Sequence, residues 1–386
     1  MDLRFSEAEE AFREDARAWL AANVPDAPLP SGDTREGFAE HLKWERKLHD
    51  AGWAAVAWPK RYGGRDATLM QWLVFEEEYW RAGAPNRVTQ NGVFLLAPSL
   101  FAFGTEEQKD RLLPDIAAAR TLWAQGWSEP GAGSDLAALQ SRAERVPGGF
   151  RLYGQKTWCT RGAFCDAIFG PFRTDPAAAP HKGITYFLVP LKAEGGSVRG
   201  TGRLDGDEGF ADVFLDGVFV PDRDVLGPVN EGWKVAMGTT SSERGLSLRS
   251  PGRFMASAAR LIDLYRRYHA SADPTLRDRV VRAFIDAEAY RWFTFEVATQ
   301  MAEGKALGPE ASASKIFWSE MDLALHETAL ALLGPQAELE SGASDAADGG
   351  SWMKGYQFAL AGPIYAGTNE IQRNVVAERV LGLPRK

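Results

Sequence analysis

Apolar residues recur at helical spacing from the N-terminus to about residue 120, at strand spacing to about 228, and at helical spacing again to the end. In the first stretch Ser6 and Glu9 form a capping box, and Phe12, Ala16, Trp19 and Leu20 share one face of the helix that follows. A Pro/Ser/Gly-rich loop at 25–33 separates it from helices expected over about 35–51 and 69–82. Thr105 with Gln108 caps another, which Pro114 should interrupt or restart. In the middle stretch 150–153, 184–191 and 212–220 read as strands between Gly and Pro turns. Asp216-Gly217 fits either a hairpin turn or a kink within one strand. Beyond Gly232, long helices over about 233–269, 276–303 and 309–333, with shorter ones from Trp352 and Asn369, suggest a bundle. Residues 338–351 are low in complexity and read as a loop. Three domains are expected: 1–120 helical, 121–228 all-β, and 229–386 a helical bundle.

A formal net charge of −8 and the absence of a basic tail argue against nucleic acid as the main partner. No run of about 18 apolar residues suggests a membrane span. The start leads directly into a charged amphipathic helix with no visible signal peptide, so a cytoplasmic location is expected. Cys159 and Cys165 give no disulfide framework, and no two of the five histidines stand at a metal-ligand spacing.

Three stretches carry chemistry. In Trp127-Ser128-Glu129-Pro130-Gly131-Ala132-Gly133-Ser134-Asp135, two glycines let a ligand approach the backbone between two hydroxyls. In Lys156-Thr157-Trp158-Cys159-Thr160, at the end of an expected strand, an indole and a hydroxyl two residues apart would share a face. In Ile364-Tyr365-Ala366-Gly367-Thr368-Asn369-Glu370, a Gly-Thr turn opens a helix whose first amides can hold an oxygen. Each alone is as well explained by a tight turn, a packed Trp or a loop entering a helix.

Together, and in this order, they resemble the acyl-CoA dehydrogenase family along nearly the whole chain. Further matching runs are Gly52-Trp53, Trp58-Pro59, Tyr62-Gly63-Gly64, Phe103-Gly104-Thr105, Glu243-Arg244 and Leu381-Gly382-Leu383-Pro384. The resemblance implies a mainly α fold: an N-terminal α domain, a central β-barrel and a C-terminal four-helix bundle. It also implies FAD between barrel and bundle, and a tetramer whose neighbouring subunits help to hold it. Carried over by position, Trp127, Ser128, Gly133 and Ser134 would line the flavin, with Ser134 also near the substrate. Trp158 and Thr160 would hold the isoalloxazine, and Thr368 and Glu370 would lie along the rest of the cofactor.

The family reaction removes a proton beside a thioester carbonyl and passes hydride from the next carbon to flavin, so it needs a base and donors to the carbonyl. Many members place a Glu directly before the Gly-Thr pair, where this chain has Ala366. Others place it before an Arg on a bundle helix, where this chain has Glu243-Arg244. The resemblance therefore implies Glu243 as base, Arg244 against the pantetheine arm, and Ala366 and Gly367 beside the substrate. Two family features are missing: an Arg-x-x-Phe-Gly run with a later Gln, of which only clustered Arg277, Arg279 and Arg282 remain, and a Gly-Gly-x-Gly loop, here Leu333-Gly334-Pro335-Gln336. Both belong to the cross-subunit half of the FAD site, so the tetramer could be homomeric or completed by a second chain. The expected activity is dehydrogenation of an acyl-CoA or carrier-protein thioester to a trans-2-enoyl product, with an electron-transfer flavoprotein as acceptor and a bulky substrate such as a steroid side chain. An oxidase or monooxygenase on the same fold, or a non-catalytic partner subunit, are the alternatives.

Overall fold

The computed structural model describes residues 4–244, 250–268, 273–305 and 308–384, with the backbone alone for 240–244 and 310. The helices before the sheet are α1 (Glu7–Asn23), α2 (Arg35–Asp50), α3 (Leu69–Arg81), α4 (Ala97–Phe103) and α5 (Glu106–Ala117), with a π-helical turn, Asn91–Leu96, leading into α4. Next come β1 (Trp123–Gln125), β2 (Arg142–Val146), β3 (Gly149–Lys156), β4 (Ala167–Arg173), β5 (Ile184–Pro190), β6 (Gly196–Thr201), β7 (Phe210–Pro221) and β8 (Val225–Leu226). They are followed by α6 (Gly232–Arg244), α7 (Pro251–Tyr268), α8 (Thr275–Ala302), α9 (Glu310–Leu333), α10 (Ser351–Ala359) and α11 (Asn369–Val375). Two compact units result. One comprises Met1–Val24, Thr68–Ala84 and Arg244–Lys386, and the other Pro25–Ala67 and Pro85–Glu243.

The capping boxes form as read: Ser6 with Glu9 and Thr105 with Gln108 each exchange both hydrogen bonds. Pro114 does not break α5, which runs on through it to Ala117; the missing amide forgoes one i→i−4 bond. The expected helix over 233–269 is instead two, α6 and α7. Pro251 opens α7, a position where the missing amide costs nothing.

The central sheet is not a closed barrel. Its strand order is β6-β7-β3-β2-β4-β5-β8, with β1 on β4, and among the described residues its two ends do not pair. Closure needs a continuous staggered ladder. Here β2 meets β4 at one parallel pair, Arg142 with Arg173, and β8 is two residues long. Both halves still bury one core: Ala143, Leu152, Val213 and Val218 pack in the same cluster as Ile168, Phe172, Phe187 and Val189. Asp216-Gly217 makes no hairpin. It lies within β7, with Gly217 at φ +75° opposite a register shift between Leu152 and Tyr153, which is a bulge.

In the other unit α7, α8 and α9 bury Phe254, Leu261, Tyr290, Trp318 and Leu325 in one core with Trp352 of α10. Three consecutive glutamates of α3, Glu76, Glu77 and Glu78, are also buried. Buried carboxylates persist only when paired. Glu77 accepts from Arg13 at 3.3 Å and also pairs with Arg291, while Glu78 accepts from Arg13 and Arg17, both at 3.1 Å, and from Arg81 at 2.9 Å. Burial alone would raise the Glu78 pKa, but the hydrogen bond from Arg17 and the other guanidinium groups outweigh it and hold it below its usual value. A depressed carboxylate stabilises the fold above its unfolded pKa, about 4.3, and that stability is lost as pH falls through the folded value. The melting temperature of Glu78→Gln should therefore lie below the parent's at pH 7, and the gap should narrow in scans taken below about pH 4.3.

Candidate active site

Sheet parity places Lys156 inward, four and six residues after Leu152 and Phe150, and its side chain is fully buried. Its ammonium donates to Glu129 Oε1 at 2.7 Å and to the Pro171 carbonyl at 2.9 Å. Glu129 accepts two further bonds, from the amides of Gln140 (2.7 Å) and Ser141 (3.0 Å). Burial pushes the Lys156 pKa down against the opposing pull of Glu129. Burial would raise that of Glu129, yet Lys156 and the two amides bring it below its ordinary value. This pair pins the glycine loop to the end of β3. The Thr157 amide completes the staple by donating to the Ser128 carbonyl at 2.8 Å.

The loop so held presents Ser134 and Gly133 outward and leaves Ser128 half-buried. A side chain built on Gly131 or Gly133 would meet nothing within 4 Å, so both glycines face open space. Trp127 lies half-buried at the start of the loop, its indole donating to the Tyr186 hydroxyl at 2.9 Å.

Trp158 and Thr160 do not share a strand face, because β3 ends at Lys156. Trp158 takes φ +57° and Arg161 φ +54°, left-handed conformations that cost a non-glycine residue about 1–2 kcal/mol each. Between them Cys159 is fixed by reciprocal backbone bonds with Ala211, both 3.0 Å, and its buried thiol is pushed up to about 12 by burial. The result turns the Trp158 ring outward, 61% exposed, with the Phe210 ring edge-on at 5.6 Å. An exposed indole beside a half-buried hydroxyl and a glycine loop with open space fits a planar heteroaromatic group.

In the other unit, Ala366 (φ +56°) and Gly367 (φ +76°) are both left-handed. Gln372, fully buried, donates from Nε2 to the Ala366 carbonyl at 3.0 Å and the Gly367 carbonyl at 3.3 Å, which fixes both peptides. Thr368 caps α11 by accepting from Ile371, and buried Asn369 accepts from Lys315 at 2.7 Å and Ser319 at 3.2 Å. Glu370 is exposed, its pKa lowered by hydrogen bonds at the helix start. Glu243 and Arg244 are the last two residues of α6, and their side chains lie outside the described residues. Among the described residues no group of three His, Cys, Asp or Glu could hold a metal ion, and no helix is long and apolar enough to cross a membrane.

Sequence models of the acyl-CoA dehydrogenase N-terminal, middle and C-terminal domains match residues 6–120, 124–218 and 230–381. The chain belongs to the acyl-CoA dehydrogenase family. It is 37% identical to acyl-CoA dehydrogenase IpdE1 of Mycobacterium tuberculosis over 98% of both chains. Among solved structures it resembles the Tcur3481-Tcur3483 steroid ACAD, with a TM-score of 0.90 and 30% identity over the whole of both chains. It also resembles the ChsE4-ChsE5 complex of Mycobacterium tuberculosis, with a TM-score of 0.85 and 28% identity over the whole of both chains. Acyl-CoA dehydrogenases are oxidoreductases with FAD as cofactor, and this acyl-CoA dehydrogenase takes its place among them.

Trp127, Ser128, Gly133, Ser134, Trp158 and Thr160 fall in one unit of this acyl-CoA dehydrogenase, and Ala366, Gly367, Thr368 and Glu370 in the other. Sequence reasoning gave no role to Glu129, Lys156 or Gln372. The first two were legible: Lys156 has inward parity on β3, and a buried lysine needs an acid. Gln372 carried no comparable signal, since a polar residue early in a helix ordinarily faces water.

Proposed function

We propose that this chain dehydrogenates an acyl thioester between its α and β carbons, with Glu243 as the base. The observation that carries the reading is residue 366: an alanine in left-handed backbone stands before Gly-Thr, while α6 ends in Glu243-Arg244. An alanine methyl cannot take a proton, so a base must come from elsewhere. When bound, FAD supplies the acceptor for the hydride that leaves the β carbon. Trp158 and Thr160 would hold its ring system, and Trp127, Ser128, Gly133 and Ser134 would line it. Thr368, just before α11, and Glu370, on it, would contact the rest of the cofactor. The Ala366 amide and the Gly367 amide, the latter in a peptide whose carbonyl Gln372 holds, would donate to the thioester oxygen and stabilise the charge that forms there. Glu243 removes the α proton, and Arg244 contacts the pantetheine arm.

A steroid-derived acyl-CoA is the proposed substrate. The base on α6 and the likeness to a steroid ACAD support it. The electron acceptor is an electron-transfer flavoprotein, and the domains are those of the sequence reading, 1–120, 121–228 and 229–386. The assembly is a heterotetramer. In support, α8 exposes Val281, Phe284, Ile285 and Trp292 along one side, an apolar stripe that suits burial against another chain. Two similar solved structures, the Tcur3481-Tcur3483 steroid ACAD and the ChsE4-ChsE5 complex, are each named for a pair of chains.

The test is to purify the chain alone and with candidate second chains, then titrate anaerobically with straight, branched and steroid acyl-CoAs. Flavin bleaching by the bulky thioesters is expected, in the paired preparation. Rapid oxygen consumption in air would favour an oxidase or monooxygenase instead. Absence of flavin and of bleaching in every pairing would overturn the proposal.

A further inference from the structure

The turn that carries Trp158 and Thr160 ends on an arginine in a conformation that glycine adopts freely. Arg161 is there with its side chain committed: its Nε lies 2.7 Å from Asp33 Oδ1. The two atoms face each other without a linear hydrogen bond, so charge and not N–H geometry holds them. Asp33, which is buried, places its other oxygen 2.7 Å from Arg203 Nη1. Arg203 also pairs with Asp205 at 2.6 Å, and Ser31 donates to Asp207 at 2.5 Å. The Arg161 amide donates to the Gly209 carbonyl at 2.9 Å. One carboxylate, from the loop before α2, thus ties the 158–161 turn to the 202–209 loop.

We propose that Asp33 is a positioning residue for the cofactor: by holding Arg161 left-handed it sets the aim of Thr160 and Trp158. The proposal rests on the reading that this turn contacts FAD. Asp33 itself touches no reacting atom; it acts on the turn through Arg161, while its other oxygen holds Arg203. Glycine at 161 would make the clamp unnecessary, which separates positioning from a general need for Asp33.

Asp33→Asn in the full chain, with its second chain where flavin binding requires one, should weaken FAD binding to the flavin-stripped protein by roughly tenfold or more. It should also raise amide hydrogen exchange across 157–162. Arg161→Gly should bind FAD within about threefold of the parent, and adding Asp33→Asn to it should change FAD binding little further, the weakened Arg203 pair falling on the 202–209 loop, as a double-mutant cycle requires of coupled residues. A double variant that loses FAD as badly as Asp33→Asn alone overturns the proposal, as does unchanged exchange across the turn in Asp33→Asn. Should Asp33→Asn alone not fold, a folded double variant that binds FAD supports the clamp, and an unfolded one overturns it. A parent that binds no FAD overturns the cofactor reading and the positioning role together. The exchange measurement still reads the clamp in that case and tells the two failures apart.

Discussion

Glu243→Gln is expected to slow reduction of the bound flavin by acyl-CoA by about 10²–10⁴, the usual range for losing a general base, with substrate affinity little changed. The amide keeps the size and polarity of the carboxylate but cannot take the α proton. Binding is measured by the spectral shift on adding substrate, and chemistry by single-turnover bleaching under anaerobic conditions. The two separate because the base works only in the transition state. A variant reduced as fast as the parent would remove Glu243 from the mechanism.

The second large effect concerns stability. Glu129→Gln leaves the ammonium of Lys156 fully buried without its acid, and breaking a buried pair in this way costs about 3–5 kcal/mol. The thermal midpoint should fall by several degrees, and flavin should leave before the rest of the chain unfolds, since the glycine loop and the 157–162 turn are joined through this pair. Lys156→Met should cost less than Glu129→Gln, because the Glu129 carboxylate keeps the amides of Gln140 and Ser141. The double variant should recover most of the loss, because no unpaired charge remains. If the double variant is as unstable as the sum of the singles, the pair is not coupled and the staple is misread.

What the sequence made legible follows the range of the interactions. Helix starts were readable because a cap is completed within four residues, as at Ser6 with Glu9 and Thr105 with Gln108. The sequence of helical, strand and helical stretches was readable because periodicity is a local property. The open sheet was not, because whether β6 meets β8 depends on stagger accumulated over every strand between them. The turn at Trp158 was misread as strand for a related reason. Neither a tryptophan nor an arginine announces a positive φ; the conformation is imposed by Ala211 and Asp33, distant in sequence. Only the family resemblance singled out Glu243 and Ala366 as candidates, which composition and spacing alone would have left as a surface acid and a loop residue.

The cysteine between Trp158 and Thr160 has a consequence for durability. A reduced flavin that meets oxygen releases hydrogen peroxide, and a thiolate beside it would be the first group attacked. Cys159 is fully buried with its thiol pushed up to about 12, so at neutral pH almost none of it is ionised. Under the proposed placement of FAD against this turn, the cysteine between the two residues that would hold the ring is thereby chemically quiet. The chain can keep a small, well-packed sulfur at that point without making it a site of oxidative wear.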